Sequence, residues 1–199
     1  MTTLFPSPRP RHRLALLLVD VNRSFFDPAG EFYFPASADL VRPLRRLLEA
    51  ARAGGRLVIH AREGHRPGLH DYEGRKLPAH TASGGRDAES LPGFEELPEE
   101  PVVVKRRYSA FVGTDLGLLL AEQDVRRLLV AGVKTNVCVR ATVQDAFAYG
   151  FRPCVVRQAV GSNRPHLHAA SLEDIERYLG EVVELDTALA WLEGEAPDA

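Results

Sequence analysis

Six short apolar runs, separated by amphipathic or irregular stretches, constrain this chain more than any other feature. Leu14–Val19, Arg56–His60, Val102–Val104, Arg127–Ala131, Cys154–Val156 and Val182–Leu185 read as strands. Between them Ala38–Ala53, Asp115–Gln123, Asn136–Tyr149 and Leu172–Tyr178 carry helical spacing, and a last helix falls near Ala188–Leu192. Apolar strands alternating with amphipathic helices are the pattern of a parallel sheet covered on both faces, an α/β fold. Gly54 and Gly55 close the first helix and Gly150 the third, as glycine commonly does past a helix end. With 199 residues, the expectation is one domain over 1–199, with flexible tails at 1–12 and 194–199.

Charge removes two classes of partner. The 25 basic residues face 27 acidic ones, a net charge of −2, so no basic excess exists to neutralise phosphates and nucleic acid is not expected. Leu14–Val19 is the longest apolar run and is far too short to span a bilayer. The basic start MTTLFPSPRPRHR leads into no apolar signal core, which points to the cytoplasm. In that reducing compartment the two cysteines, Cys138 and Cys154, are expected as free thiols.

The segment from 61 to 100 breaks the rhythm. Rich in glycine and proline, it carries His65, His70 and His80 with little periodicity. So long an irregular stretch in a compact domain usually has a task. The reading is an excursion over the mouth of the sheet, at the active site or against a neighbouring subunit.

Ligands of open parallel sheets bind beyond the carboxyl ends of the strands. Asp20 follows the first strand, Lys105 the third, and Cys138 opens the helix after the fourth. An acid, an amine and a thiol therefore project toward one edge. With Thr135 as the cap, Cys138 lies in the first helical turn, where free N–H groups and a nearby ammonium favour thiolate. Those N–H groups also suit an oxyanion. Asp20 can accept the thiol proton and return it to a leaving amine. Taken singly, each residue has a plain reading: a small core thiol, a turn cap, a surface lysine. Together they point to one site. Cys154, inside a strand, is assigned to the core. In a strand order of 3-2-1-4-5-6, Lys105 starts two strands from Asp20, roughly 10 Å sideways.

The stretches VDVNRSF with Asp20, VVVKRRYSAF with Lys105 and AGVKTNVCVRATVQDAFAYGF with Cys138 resemble the isochorismatase-like cysteine hydrolases. The resemblance implies a Rossmann-like, three-layer α/β/α fold with a six-stranded parallel sheet, a catalytic Asp20–Lys105–Cys138 triad, and homodimers or homotetramers. It implies hydrolysis of a C–N bond in a small amide or ureide through a Cys thioester, with ammonia released and no cofactor. It further implies an oxyanion hole from the N–H groups of Lys134 and Cys138, beside a Val133–Lys134 peptide that is often cis. Arg164 is the nearest match to an arginine associated with a substrate carboxylate, and Phe26 and Tyr108 are candidate pocket walls. CVRATVQDAFAYGFRP looks most like the carbamoylsarcosine and maleamate amidases, HAREGHRPGL like the ureide and biuret hydrolases. Glu63, His65 and His80 imitate a metal-binding layout found in nicotinamidases. A metal-assisted amidase of that kind and a non-catalytic metabolite-binding relative stand as alternatives.

Overall fold

The computed structural model describes residues 13–194; the tail expected at 1–12, and all but Gly194 of the tail expected at 194–199, lie outside the described residues. Six strands make one parallel sheet: β1 (Leu14–Val19), β2 (Leu57–Glu63), β3 (Val102–Lys105), β4 (Arg127–Val133), β5 (Arg152–Gly161) and β6 (Glu181–Val183). Their order is β3-β2-β1-β4-β5-β6. The helices are α1 (Arg23–Phe26), α2 (Val41–Ala53), α3 (Leu116–Glu122), α4 (Arg140–Ala148), α5 (Pro165–Asp174) and α6 (Leu185–Glu193). A π turn, Thr135–Val139, leads into α4.

Every residue of β1 and β4 is buried, because both strands lie inside the sheet with helices on either face. Side chains of a strand alternate between faces. Leu14, Leu16 and Leu18 pack with Leu44, Leu47 and Leu48 of α2 and with Leu189 and Leu192 of α6. Ala15, Leu17 and Val19 face Leu116 and Leu120 of α3, Val143 of α4 and Leu172 of α5. The result is the three-layer α/β/α arrangement. Each buried leucine contributes roughly 2 kcal/mol of transfer free energy, so the two apolar layers dominate stability. Among the described residues no helix is long and apolar enough to cross a membrane.

β2, β5 and α5 are among the elements that run longer than the apolar pattern indicates. β2 continues through Glu63, so the irregular excursion starts at 64. β5 extends to Gly161 past exposed Arg157 and Gln158, after a register shift against β4. α5 begins at Pro165, where proline is at home in the first helical turn, and buries only Ser171 and Leu172. Its near-absent apolar stripe is why periodicity starts it seven residues late.

The excursion is anchored at its far end. Glu100 accepts from Arg52 at 2.7 and 2.8 Å, from the Leu97 amide at 3.0 Å, and meets His60 Nε2 at 2.8 Å. Two short 3-10 turns, Tyr72–Arg75 and Arg86–Ala88, and single bridges from His65 to Ala82 and from Asn22 to Ser90 hold the rest against the sheet edge.

Candidate active site

Asp20 sits one residue beyond β1 with φ at +54°, a left-handed conformation that costs a non-glycine residue about 1–3 kcal/mol. Its amide donates to Ala61 O at 2.8 Å and its Oδ1 accepts from the Glu63 amide at 2.7 Å. These two bonds over-determine the turn and aim the carboxylate along the strand ends. Lys105 closes β3, and its Nζ lies 2.9 Å from Asp20 Oδ2 and 3.4 Å from Cys138 Sγ. The three sequence-derived residues thus meet at one point. Asp20 and Lys105 are fully buried, and Cys138 is 4% exposed.

Burial sets the electrostatics. It pushes the Asp20 carboxyl above the usual carboxylate range, against the pull of Lys105. It pushes the Cys138 thiol well up, with Lys105 again opposing and Asp20 adding to the rise. Burial works to lower Lys105, but Asp20, Cys138 and Glu63 outweigh it and hold the ammonium. Burial thus opposes charge on both Asp20 and Cys138, and the ammonium of Lys105 favours it on both. Desolvation of the buried sulfur works against the thiolate expected from the helix start, and Lys105 works for it. Moving the proton from Cys138 to Asp20 leaves the net charge of the trio unchanged, so it adds no further buried charge.

The helix start also differs from expectation. Lys134, not Thr135, occupies the N-cap, and Thr135 lies inside with its Oγ1 against His168 Nδ1 at 2.9 Å. Val137 and Val139 N–H donate to Lys134 O at 3.0 and 3.2 Å. The Val133–Lys134 peptide is cis. Gly132, at φ +120°, precedes it where a Cβ would stand 2.0 Å from Val19 O. Only glycine lets β4 approach β1 this closely.

The remaining sequence-derived residues are spread around this centre. Phe26 packs in the core on the α2 face, and Cys154 is buried as a free thiol. Tyr108 is half-buried and lines a cavity of about 880 Å³ together with Glu73, Arg107, Asn136, Val137 and Arg140. Arg164 is exposed and caps α5. A second cavity, about 650 Å³, shares Glu73 and is lined by His65 and His80. Cys138 belongs to the lining of neither.

Glu63, His65 and His80 converge, joined by Glu73, which the spacing of the sequence did not reveal. One donor atom from each lies within 4.8 Å of the others, and all four residues are buried. Asp71 caps the Tyr72–Arg75 turn, accepting from the Glu73 amide, and also holds His65 Nδ1 at 2.9 Å. His80 Nδ1 is bonded to Pro78 O at 2.7 Å. That leaves His65 Nε2, His80 Nε2 and both Glu73 oxygens buried with no hydrogen-bond partner. Two imidazoles with outer-ring partners and two carboxylates are a fitting donor set for a divalent cation such as zinc.

Sequence reading also missed Lys134 as a side chain. Its Nζ lies 5.6, 5.3 and 5.8 Å from the ring centroids of Phe25, Phe32 and Phe34. The Phe32 ring in turn meets the His80 ring edge-on at 4.8 Å. Asn22 is buried nearby in sequence, two residues after Asp20, with neither side-chain polar atom bonded.

Residues 14–187 match the isochorismatase domain. Maleamate amidohydrolase of Pseudomonas putida is 31% identical over 194 residues, covering 89% of this chain and 86% of that protein. N-carbamoylsarcosine amidase of an Arthrobacter species is 30% identical over 190 residues, covering 92% and 72%. The crystal structure of the pyrazinamidase of Pyrococcus horikoshii in complex with zinc superposes with a TM-score of 0.79 at 27% identity, covering 86% of this chain and 99% of that one.

Proposed function

The chain belongs to the isochorismatase domain family, and on that premise we propose that it is a cysteine hydrolase cleaving a C–N bond of a small amide or carbamoyl compound. The observation that carries this reading is the contact of Lys105 with both Asp20 and Cys138 in a buried site. Names of the relatives support the substrate class, since both are amidohydrolases of small molecules.

The chemistry follows from the charge distribution. Asp20 takes the Cys138 proton, and the sulfur attacks the carbonyl carbon, so the C–S bond forms as the carbonyl π pair moves to oxygen. Lys105 stays protonated and offsets the charge of whichever partner is anionic. The amide N–H groups of Lys134 and Cys138 receive the oxyanion; those of Val137 and Val139 are committed to Lys134 O. Asp20 returns its proton to the departing nitrogen, the C–N bond breaks, and ammonia leaves a thioester. Water then gives a proton to Asp20 and its oxygen to the acyl carbon. The thiolate departs and recovers that proton, and the acid is released.

The cluster of Glu63, His65, Glu73 and His80 favours a metal-assisted version of the same reaction. A divalent cation held there supplies charge that binds and orients the polar end of a substrate. The chain's own part is unchanged: Asp71 and Pro78 O fix the imidazole orientations, and Asp20, Lys105 and Cys138 handle the proton and the sulfur. Assembly as a homodimer or homotetramer in the cytoplasm belongs to the same reading; exposed Val112, Leu118, Phe147 and Tyr149 offer apolar surface for it.

Ammonia release from a panel of small amides and ureides, with and without chelator, tests the proposal. Wild type should release ammonia from at least one, and Cys138→Ala should release none above background. Equal release from both proteins would overturn the nucleophile. A non-catalytic relative would release none from either.

A further inference from the structure

The turn that carries Cys138 is held from outside itself. Thr135–Val139 is a π turn, a rare form found frequently at functional sites. At its start Val137 and Val139 N–H share one acceptor, Lys134 O, and the N-cap residue Lys134 makes no side-chain cap bond. Two side chains of the turn reach instead to the chain that follows β5. Thr135 Oγ1 lies 2.9 Å from His168 Nδ1 of α5, and Asn136 Oδ1 accepts from Ser162 Oγ at 2.6 Å. Ser162 Oγ itself accepts from the Arg164 amide at 3.1 Å, which ties it to the start of α5.

The two tethers are unequal. Asn136 is half-buried and lines the larger cavity, where water can stand in for Ser162. Thr135 is 0% exposed, so water cannot replace the partner its hydroxyl has in His168, and a buried hydroxyl left unbonded is costly. Burial and the charge of Arg157 lower His168 from its ordinary value. The ring is therefore neutral at neutral pH, and its Nδ1 completes the bond as acceptor or as donor.

The position of Thr135 gives this bond a purpose. It adjoins Lys134 and stands three residues before Cys138, so fixing Thr135 fixes the sulfur and both N–H groups assigned to the oxyanion. On the sheet side Lys105 Nζ meets the sulfur at 3.4 Å; on the α5 side His168 holds the turn. A misplacement of about 1 Å at reacting atoms can cost on the order of a hundredfold in rate. We propose that His168 is a positioning residue: through Thr135 Oγ1 it locks the Cys138 turn in register with Asp20 and Lys105. It touches no reacting atom. The inference rests on the hydrolase reading for its effect on rate, and on the turn alone for its effect on local order.

The test compares Thr135→Val, His168→Leu, the two combined, and His168→Asn, whose side-chain amide falls near the place of Nδ1. On an amide that wild type hydrolyses, each of the first two should lower kcat by about tenfold or more and leave KM within about threefold. The combined variant should fall no further than the lower single one, because both changes remove one bond. His168→Asn should recover most of kcat. Hydrogen–deuterium exchange of the peptide Lys134–Val139 should be faster in His168→Leu, with Leu14–Val19 exchanging as in wild type. Circular dichroism checks folding, and Thr135→Val keeps the test available if a His168 variant does not fold. Unchanged kcat, a rise in KM alone, additive losses, no recovery by asparagine, or wild-type exchange in the turn overturns the proposal. If wild type hydrolyses no amide, the hydrolase reading falls, and faster exchange in the turn leaves the tether standing.

Discussion

Lys105 reaches Asp20 across an intervening strand: their charged ends lie 2.9 Å apart although β2 separates β3 from β1. The lysine stem crosses the end of β2 where Glu63 is its register partner, and the ammonium arrives beneath Asp20 and beside Cys138. A buried pair of this kind stabilises little by itself, but losing one member strands the other. Asp20→Asn and Lys105→Met should each destabilise by about 3–5 kcal/mol. The double variant should lose markedly less than the sum. Urea unfolding of the four proteins gives the coupling energy, and simple additivity would contradict a buried ion pair.

Burial raises Asp20 above its ordinary value of 3.8, and the base must be ionised to receive the thiol proton. As pH falls through the raised value, the carboxyl protonates and the reaction stops. The acid limb of kcat/KM should therefore have its midpoint above 3.8. A pH–rate profile, with circular dichroism at each point to exclude unfolding, makes the check. An acid limb at or below 3.8 would contradict Asp20 as a buried base.

Glu100 carries a second pH dependence, of stability rather than rate. Burial works to raise it, but hydrogen bonds from Arg52, the Leu97 amide and His60 outweigh that and hold it at about 2. Its folded value lies below the ordinary 4.5. The stabilisation is thus complete above about pH 4.5 and fades as pH falls toward about 2. Glu100→Gln should lower stability by about 2–4 kcal/mol at neutral pH and flatten the decline over that window. Thermal unfolding between pH 2 and 6 reads both effects.

Much of this was legible in the chain, for identifiable reasons. β1 is recovered to the residue because six consecutive buried side chains leave an unbroken apolar run. Asp20, Lys105 and Cys138 stand out because each follows such a run. Glu73 does not: a 3-10 turn capped by Asp71 places it, and no periodicity announces that turn. Lys134 was legible only as a backbone donor, since its cage comes from rings in α1 and from the irregular segment after it. A sequence shows the helix end that favours a thiolate and not the depth of burial that opposes it.

Gly132 bears on the site through sterics alone. A methyl group there would overlap Val19 O, and the residue's φ of +120° lies outside the range of other residues. Gly132→Ala should force β4 away from β1 and misplace the turn that carries Cys138. The expected result is a fall in kcat/KM of at least a hundredfold, together with reduced thermal stability. Wild-type values for both would show that the strand spacing tolerates a side chain.

The central step is covalent bonding of an acyl group to one sulfur. Intact-protein mass spectrometry of acid-quenched turnover mixtures reads that bond directly. With any hydrolysed amide, the chain should gain the mass of the acyl group, peptide mapping should assign it to Cys138, and hydroxylamine should remove it. Ammonia released at full rate by the Cys138→Ala protein, or an acyl adduct mapped to Cys154 instead, would contradict the account.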